Sequence, residues 1–237
     1  MSSTPSPTPA ARAHRVAVVD DHTLMREGMK MLLENLQGLS CAWTAGDTSE
    51  ALRLLEADMP DALVVDITMP GRNGLELIKD IRALYPDLAV LVVSMHDEAL
   101  YAQRALKAGA KGYVMKDAPH GVFEKAIRHV LAGGIALSEK MSESILLAFS
   151  SGTNPGPEGA IHNLSDREFE VFQLIGEARS TAQIAAELGI SPKTVDVHKL
   201  KIRQKLSLTE STSLTAFAIR WVELRKLDIK EPAQARG

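Results

Sequence analysis

Between residues 15 and 131 the chain repeats one pattern five times: a short apolar run of strand length, then an amphipathic segment of helical period. The third run, Ala62–Pro70 (ALVVDITMP), is the clearest. Its apolar residues do not alternate with polar ones, so the strand is buried on both faces, as in a parallel sheet covered by helices. Pro70 and Gly71 end the run and leave Asp66 at its C-terminal edge. The other strands are Arg15–Val19, Ser40–Ala45, Leu88–Val93 and Gly112–Met115. Helices are predicted at Thr23–Leu36, Ser49–Ala57, Asn73–Leu84, Ala99–Ala108 and Pro119–Leu131, with Thr48 or Ser49 capping the second. Leu24, Met25, Met29, Leu32, Leu33 and Leu36 form the apolar stripe of the first. Strands alternating with helices in this way predict a five-stranded, doubly wound parallel sheet with right-handed crossovers.

In such a sheet every C-terminal strand end falls on one edge, where open α/β sheets bind ligands. Asp20 and Asp21 follow the first strand, Asp66 the third, Ser94 the fourth and Lys116 the fifth. Singly, each has an ordinary explanation: an aspartate caps a turn or the next helix, a serine sits in a turn, a lysine is solvated. Together, in this order and at matching strand ends, they describe a site. Asp66 suits a nucleophile that takes a phosphoryl group as an acyl phosphate. Clustered carboxylates resist ionising together and repel phosphate. Mg2+ removes both difficulties, because it prefers oxygen ligands and bridges carboxylates to phosphate oxygens. Asp21, Asp66 and the backbone carbonyl of Thr68 are the expected protein ligands. Lys116 supplies a point cation for the phosphoryl group and Ser94 a hydroxyl. A dedicated phosphohydrolase of related fold would carry a second aspartate two residues after the nucleophile; Thr68 stands there instead, which excludes that reading.

Beyond residue 131 the pattern changes. The expected organisation is a disordered leader at 1–13, the α/β domain at 14–132, a linker at 133–160 with one helix (Ser138–Phe149), an all-α domain of four helices at 161–230, and a tail at 231–237. The stretch SSGTNPGPEG, 150–159, is turn-rich and marks the interdomain boundary. The first helix of the second domain, Leu164–Ala178, opens on a capping box of Ser165 and Glu168. Thr181–Leu188 is short and stopped by Gly189. The next helix starts with Ser191 as cap and Pro192 in its first turn and runs to about Leu206. Ser211–Leu227 is the fourth, amphipathic through Leu214, Phe217, Ala218, Trp221 and Val222. Two short helices about a glycine-containing turn, the second one basic, make a helix-turn-helix.

That second helix holds Lys193, Lys199, Lys201, Arg203 and Lys205 against a single acid, Asp196. Such a helix fits the DNA major groove, with its bases also neutralising phosphates. Asp196 has three readings: accepting from a cytosine amino group, repelling phosphate, or pairing with Lys199 or Lys193. The net charge of −3 confines any nucleic-acid affinity to a local surface such as this one. A single cysteine, Cys41, excludes an internal disulfide, and no apolar run approaches membrane-spanning length. Without a secretory leader in MSSTPSPTPAARA, the expected location is the cytoplasm.

VVDDH, VVDITMPGRNGLEL, VLVVSMHD and AGAKGYVMKD resemble the receiver domain of bacterial two-component response regulators, a flavodoxin-like fold. By that resemblance Asp66 is the phosphoacceptor, Asp20 and Asp21 hold magnesium, Ser94 is the switch hydroxyl, Lys116 the lysine of the site, and Tyr113 the switch aromatic. LSDREFEVFQLIGEARSTAQIAAELGISPKTVDVHKLKIRQKLSL resembles the LuxR-type helix-turn-helix, and the two together resemble the NarL/FixJ class. Ala178 stands where the family usually has glycine, and Thr181 where it often has asparagine. The resemblance and the basic run nominate Lys193, Thr194, Val195, Val197, His198, Lys199, Lys201 and Lys205 as DNA contacts; Leu214, Phe217 and Trp221 resemble the family's dimer face, and packing onto the domain's own core is the other reading of them. It implies a sensor histidine kinase as phosphoryl donor, double-stranded DNA as target, a homodimer on phosphorylation, and no membrane partner. The rival reading is a relay or protein-binding module whose helical domain has lost DNA.

Overall fold

The structure, a computed structural model, describes residues 12–69, 71–151, 161–208 and 213–230. The expected leader up to residue 11, the linker core at 152–160 and the tail at 231–237 lie outside the described residues. The chain forms two compact units, 1–147 and 148–237.

The first unit runs β1 (His14–Val19), α1 (Thr23–Asn35), β2 (Leu39–Ala45), α2 (Thr48–Ala57), β3 (Ala62–Val65), α3 (Gly74–Leu84), β4 (Ala89–Ser94), α4 (Glu98–Ala108), β5 (Gly112–Met115) and α5 (His120–Leu131). The strands are all parallel, in the order β2-β1-β3-β4-β5. A bulge between Val16 and Val18 interrupts the β1–β2 pairing. Val16, Val18, Val64, Leu91, Val93 and Val114 pack beneath Met29 and Leu33 of α1 and Phe123, Ile127 and Val130 of α5. The alternate strand residues, Ala17, Val19, Leu63, Val65, Val90 and Val92, are as deeply buried on the other face. The inward stripes of α2, α3 and α4 cover them, through Leu55, Leu77, Ile78, Ile81, Ala102 and Ala105.

Two local expectations are corrected. The cap of α2 is Asp47, whose Oδ1 accepts from the backbone N–H groups of Ser49 and Glu50; Thr48 is the first helical residue. Leu24 is 89% exposed and takes no part in the inner stripe of α1, because 3.6 residues per turn puts it on the opposite side of the helix from Met29 and Leu33.

A sixth helix, α6 (Glu139–Ser151), continues past the expected stop at Phe149. In the second unit a 3-10 turn at Ile161–Asn163 precedes α7 (Asp166–Gly176), α8 (Thr181–Glu187), α9 (Pro192–Lys205) and α10 (Leu214–Lys230). The Ser165–Glu168 capping box forms as expected, and a second one, Ser180–Gln183, starts α8. Ala178, after α7, has φ +60°, the left-handed region that favours glycine, so one residue turns the chain into α8. Phe169, Phe172, Ile184, Val195, Ile202, Ala218 and Trp221 form the core. Phe172 and Trp221 meet edge to face with ring centroids 5.3 Å apart. The Phe217 ring centroid lies 6.0 Å from that of Phe172, with the two planes tilted at 52°.

These contacts correct the dimer-face assignment. Leu214 and Trp221 are buried within their own unit and Phe217 is half-buried there, so the apolar stripe of α10 is committed to α7. Gly176 allows the close approach: a Cβ there would lie 2.7 Å from the Ala218 carbonyl oxygen and collide with Val222. Gly176→Ala is therefore expected to cost the second unit about 1–3 kcal/mol through overpacking. Urea denaturation in a Trp43→Phe background, where Trp221 alone reports, checks this; an unchanged midpoint would show that the two helices separate without penalty.

Candidate functional site

The strand register assembles the site. Val19 pairs with Val65, so Asp20 and Asp66 leave the sheet side by side. Ser94 pairs with Met115, which places Lys116 one residue past the end of the neighbouring strand. The side chains of Asp20 and Asp66 are each 2% exposed and that of Lys116 only 4%. The Lys116 ammonium lies between the two acids, 2.7 Å from Asp20 Oδ2 and 2.8 Å from Asp66 Oδ2. Burial alone would lower its pKa, but the two carboxylates outweigh burial and hold it above the ordinary lysine value. Burial pushes Asp66 above the usual carboxylate range, against the pull of Lys116 and the Thr68 backbone N–H.

Asp21 stands beside this pair with half-buried side chain, its Oδ1 2.9 Å from His22 Nδ1. Asp20 Oδ1 accepts from the His22 backbone N–H at 2.8 Å. Acidic or imidazole atoms of Asp20, Asp21, His22 and Asp66 all lie within 4.8 Å of one another. Asp66 Oδ1 is buried and has no hydrogen-bond partner. With three carboxylates facing one ammonium, the pocket carries uncompensated negative charge and an unsatisfied oxygen. Both are what a divalent cation on hard oxygen ligands would correct, so the residues fit one.

Ser94 is fully buried, and its hydroxyl accepts from the His96 backbone N–H at 3.3 Å. Tyr113 is buried too; its hydroxyl donates to the His96 carbonyl at 2.7 Å, and burial raises its pKa far above the usual phenol value. Thr68 is exposed, with Oγ1 2.7 Å from His96 Nε2, so the loops after β3 and β4 are tied together beside Asp66. His96 also stacks on Tyr101 at 4.4 Å. Burial, aided by Lys116, lowers its imidazole to about 4, so it is neutral at neutral pH.

His96 was not singled out by sequence reasoning, and neither was Gly74. A Cβ on Gly74 would run into the Asp66 carbonyl oxygen and the Val65 side chain. The only signals were position: His96 two residues beyond Ser94, and Gly74 straight after the cap residue Asn73.

In the second unit the expected DNA contacts divide. Lys193, Val197 and Lys201 are exposed. Val195 is fully buried: its side chain belongs to the core, which corrects its placement among the contacts. Thr194 Oγ1 lies 2.8 Å from the cap hydroxyl of Ser191. His198 is half-buried, its Nδ1 enclosed without a hydrogen bond, and burial and Arg167 lower its pKa. Lys199 Nζ donates to Thr181 Oγ1 and sits 3.8 Å from Asp196 Oδ1, which favours the ion-pair reading of Asp196. Lys205 Nζ lies 2.7 Å from Glu168 Oε2, so it anchors α9 to the start of α7.

A buried strand-end carboxylate among acids, facing one ammonium at the carboxyl edge of a doubly wound sheet, defines a receiver-type signalling protein. Its second unit is a helix-turn-helix. Residues 16–128 match the response regulator receiver domain, and residues 162–218 match the bacterial regulatory proteins of the luxR family. The chain is 33% identical over 210 residues to the oxygen regulatory protein NreC of Staphylococcus carnosus, covering 87% of this chain and 97% of that one. It is 31% identical over 226 residues to the transcriptional regulatory protein DegU of Brevibacillus brevis, covering 89% and 96%. RcsB of Salmonella enterica serovar Typhimurium, bound to promoter P1flhDC with phosphomimetic BeF3-, superposes with a TM-score of 0.59 at 25% identity, covering 87% and 98%. The chain belongs to the two-component response regulators of the NarL/FixJ class.

Removing the ammonium tests how the pocket is held together. Lys116→Met leaves buried acids without their counterion and should destabilise the first unit by about 3–5 kcal/mol. Thermal or urea unfolding of the full chain reads this, and a divalent salt should restore part of the loss by occupying the acid cluster. Unchanged stability without added metal would mean that the acids are neutral or hydrated.

Proposed function

We propose that Asp66 is the phosphoacceptor of this regulator and that phosphorylation controls DNA binding by the second unit. The observation that carries the reading is Asp66 Oδ1, buried without a partner beside an ammonium held between Asp66 and Asp20. A sensor histidine kinase's phosphohistidine is the donor. An Asp66 carboxylate oxygen forms the new O–P bond as the P–N bond breaks, and the imidazole leaves with the electron pair and takes up a proton. Asp20, Asp21, Asp66 and the Thr68 backbone carbonyl would hold Mg2+. When bound, the ion neutralises charge between carboxylates and phosphoryl oxygens. Lys116 and the Ser94 hydroxyl hold the transferred group.

Ser94 and Tyr113 both reach His96, through its backbone N–H and carbonyl, so a move of the Ser94 hydroxyl towards phosphate also disturbs the Tyr113 anchor. Phosphorylation shifts the chain towards a homodimer that presents two copies of α9 to half-sites one DNA turn apart. The protein works in the cytoplasm. Among the described residues no helix is long and apolar enough to cross a membrane.

Incubation with acetyl phosphate and magnesium, followed by intact mass measurement, should add one phosphoryl group to the native chain and none to Asp66→Asn. Chelation of the metal should suppress the modification. Labelling that survives the substitution places the nucleophile elsewhere. A gel shift on duplex DNA with and without acetyl phosphate separates a DNA-binding regulator from a protein-binding relay.

A further inference from the structure

The outward stripe of α9 is apolar at its centre. Val195 and Ile202 are fully buried and Leu206 nearly so, which fixes the inner face. With 3.6 residues per turn, the opposite stripe falls on Lys193, Val197, Leu200 and Gln204, flanked by Asp196 and Lys201. Exposure agrees: Val197 is 46% and Leu200 59% exposed, and Lys193, Asp196, Lys201 and Gln204 are exposed as well. A helix seated in the major groove turns towards base edges the residues farthest from its own core. Here the middle two of those residues are aliphatic, one turn apart.

Leu200 has neither donor nor acceptor. In the major groove the base-edge group that suits an aliphatic side chain is the 5-methyl of thymine. We propose that Leu200, with Val197 beside it, reads thymine methyl groups, which makes Leu200 a specificity-determining residue of this regulator. The proposal rests on the DNA-binding reading above. A protein partner fits the surface less well. Two aliphatic side chains form a far smaller patch than a protein interface needs, and the exposed lysines Lys193 and Lys201 lie on either side of them. Those lysines suit the phosphates that border a groove. With Lys199 and Lys205 engaged inside the unit, discrimination falls to the aliphatic pair and affinity to the flanking cations.

The test uses the full chain phosphorylated with acetyl phosphate and magnesium. Duplexes are selected from a random library, and the consensus is remade with deoxyuridine in place of each thymine in turn. Removing one contacted methyl should weaken binding roughly fourfold, at one or two positions per half-site. Leu200→Ala keeps a strong helix former; it should weaken binding to the thymine duplex and abolish the uracil effect at one of those positions. Its affinity for the uracil duplex should match that of the native chain. A consensus without thymine, indifference to uracil throughout, or a uracil effect unchanged in Leu200→Ala overturns the proposal while DNA binding stands. Absence of duplex binding even at low salt overturns both readings. If Leu200→Ala changes the protein's own sedimentation without DNA, the patch covers a second copy of the chain, and the proposal fails.

Discussion

The receiver unit depends on one ammonium. Lys116 reaches Asp20 and Asp66 at ion-pair distance from a position as buried as theirs. Removing two carboxylates from water is costly, and one cation shared between them offsets only part of that cost. The remainder persists as an unsatisfied Asp66 oxygen and as the nearby charge of Asp21. The pocket is stable enough to fold and still offers the hard oxygen ligands that a divalent cation fits. The same lysine both supports the fold and keeps the site receptive.

Around that pair the unit builds a short chain of contacts leading away from Asp66. Ser94 receives the His96 backbone N–H, the His96 carbonyl receives Tyr113, and the His96 ring meets Thr68 and Tyr101. His96 thus touches the loop after β3, helix α4 and strand β5 at once. In the helical unit Glu168 has a comparable position, completing the cap of α7 while holding Lys205 at the end of the recognition helix. Both are polar residues whose value lies in joining elements remote in sequence.

Much of this was legible from residue order. The five strands, their parallel arrangement and the convergence of Asp20, Asp21, Asp66, Ser94 and Lys116 follow from strand ends sharing one edge of a doubly wound sheet. What sequence reasoning missed has a common cause. Period and propensity do not say which way an element turns its apolar residues, so Val195, nominated as a DNA contact, and Trp221, open between dimer face and core, both prove to be core. Leu24 is apolar but lies on the opposite side of α1 from Leu33, and so faces outward. Gly74 and His96 matter through approaches between separate loops, and the one-dimensional order records no distance between them.

The order of the strands also sets when the pocket becomes chemically competent. Asp20 follows the first strand made and Lys116 the last, so a growing chain displays its carboxylates well before their counterion exists. Domains generally fold as units, N-terminal first, during synthesis. Until β5 docks, Asp20 and Asp66 lack the ammonium that bridges them, which works against burying them early. A fragment ending before Lys116 would hold Asp20 and Asp66 without the charge balance that lets them be buried. Burial of the acid pair with its counterion is thereby tied to completion of the whole sheet.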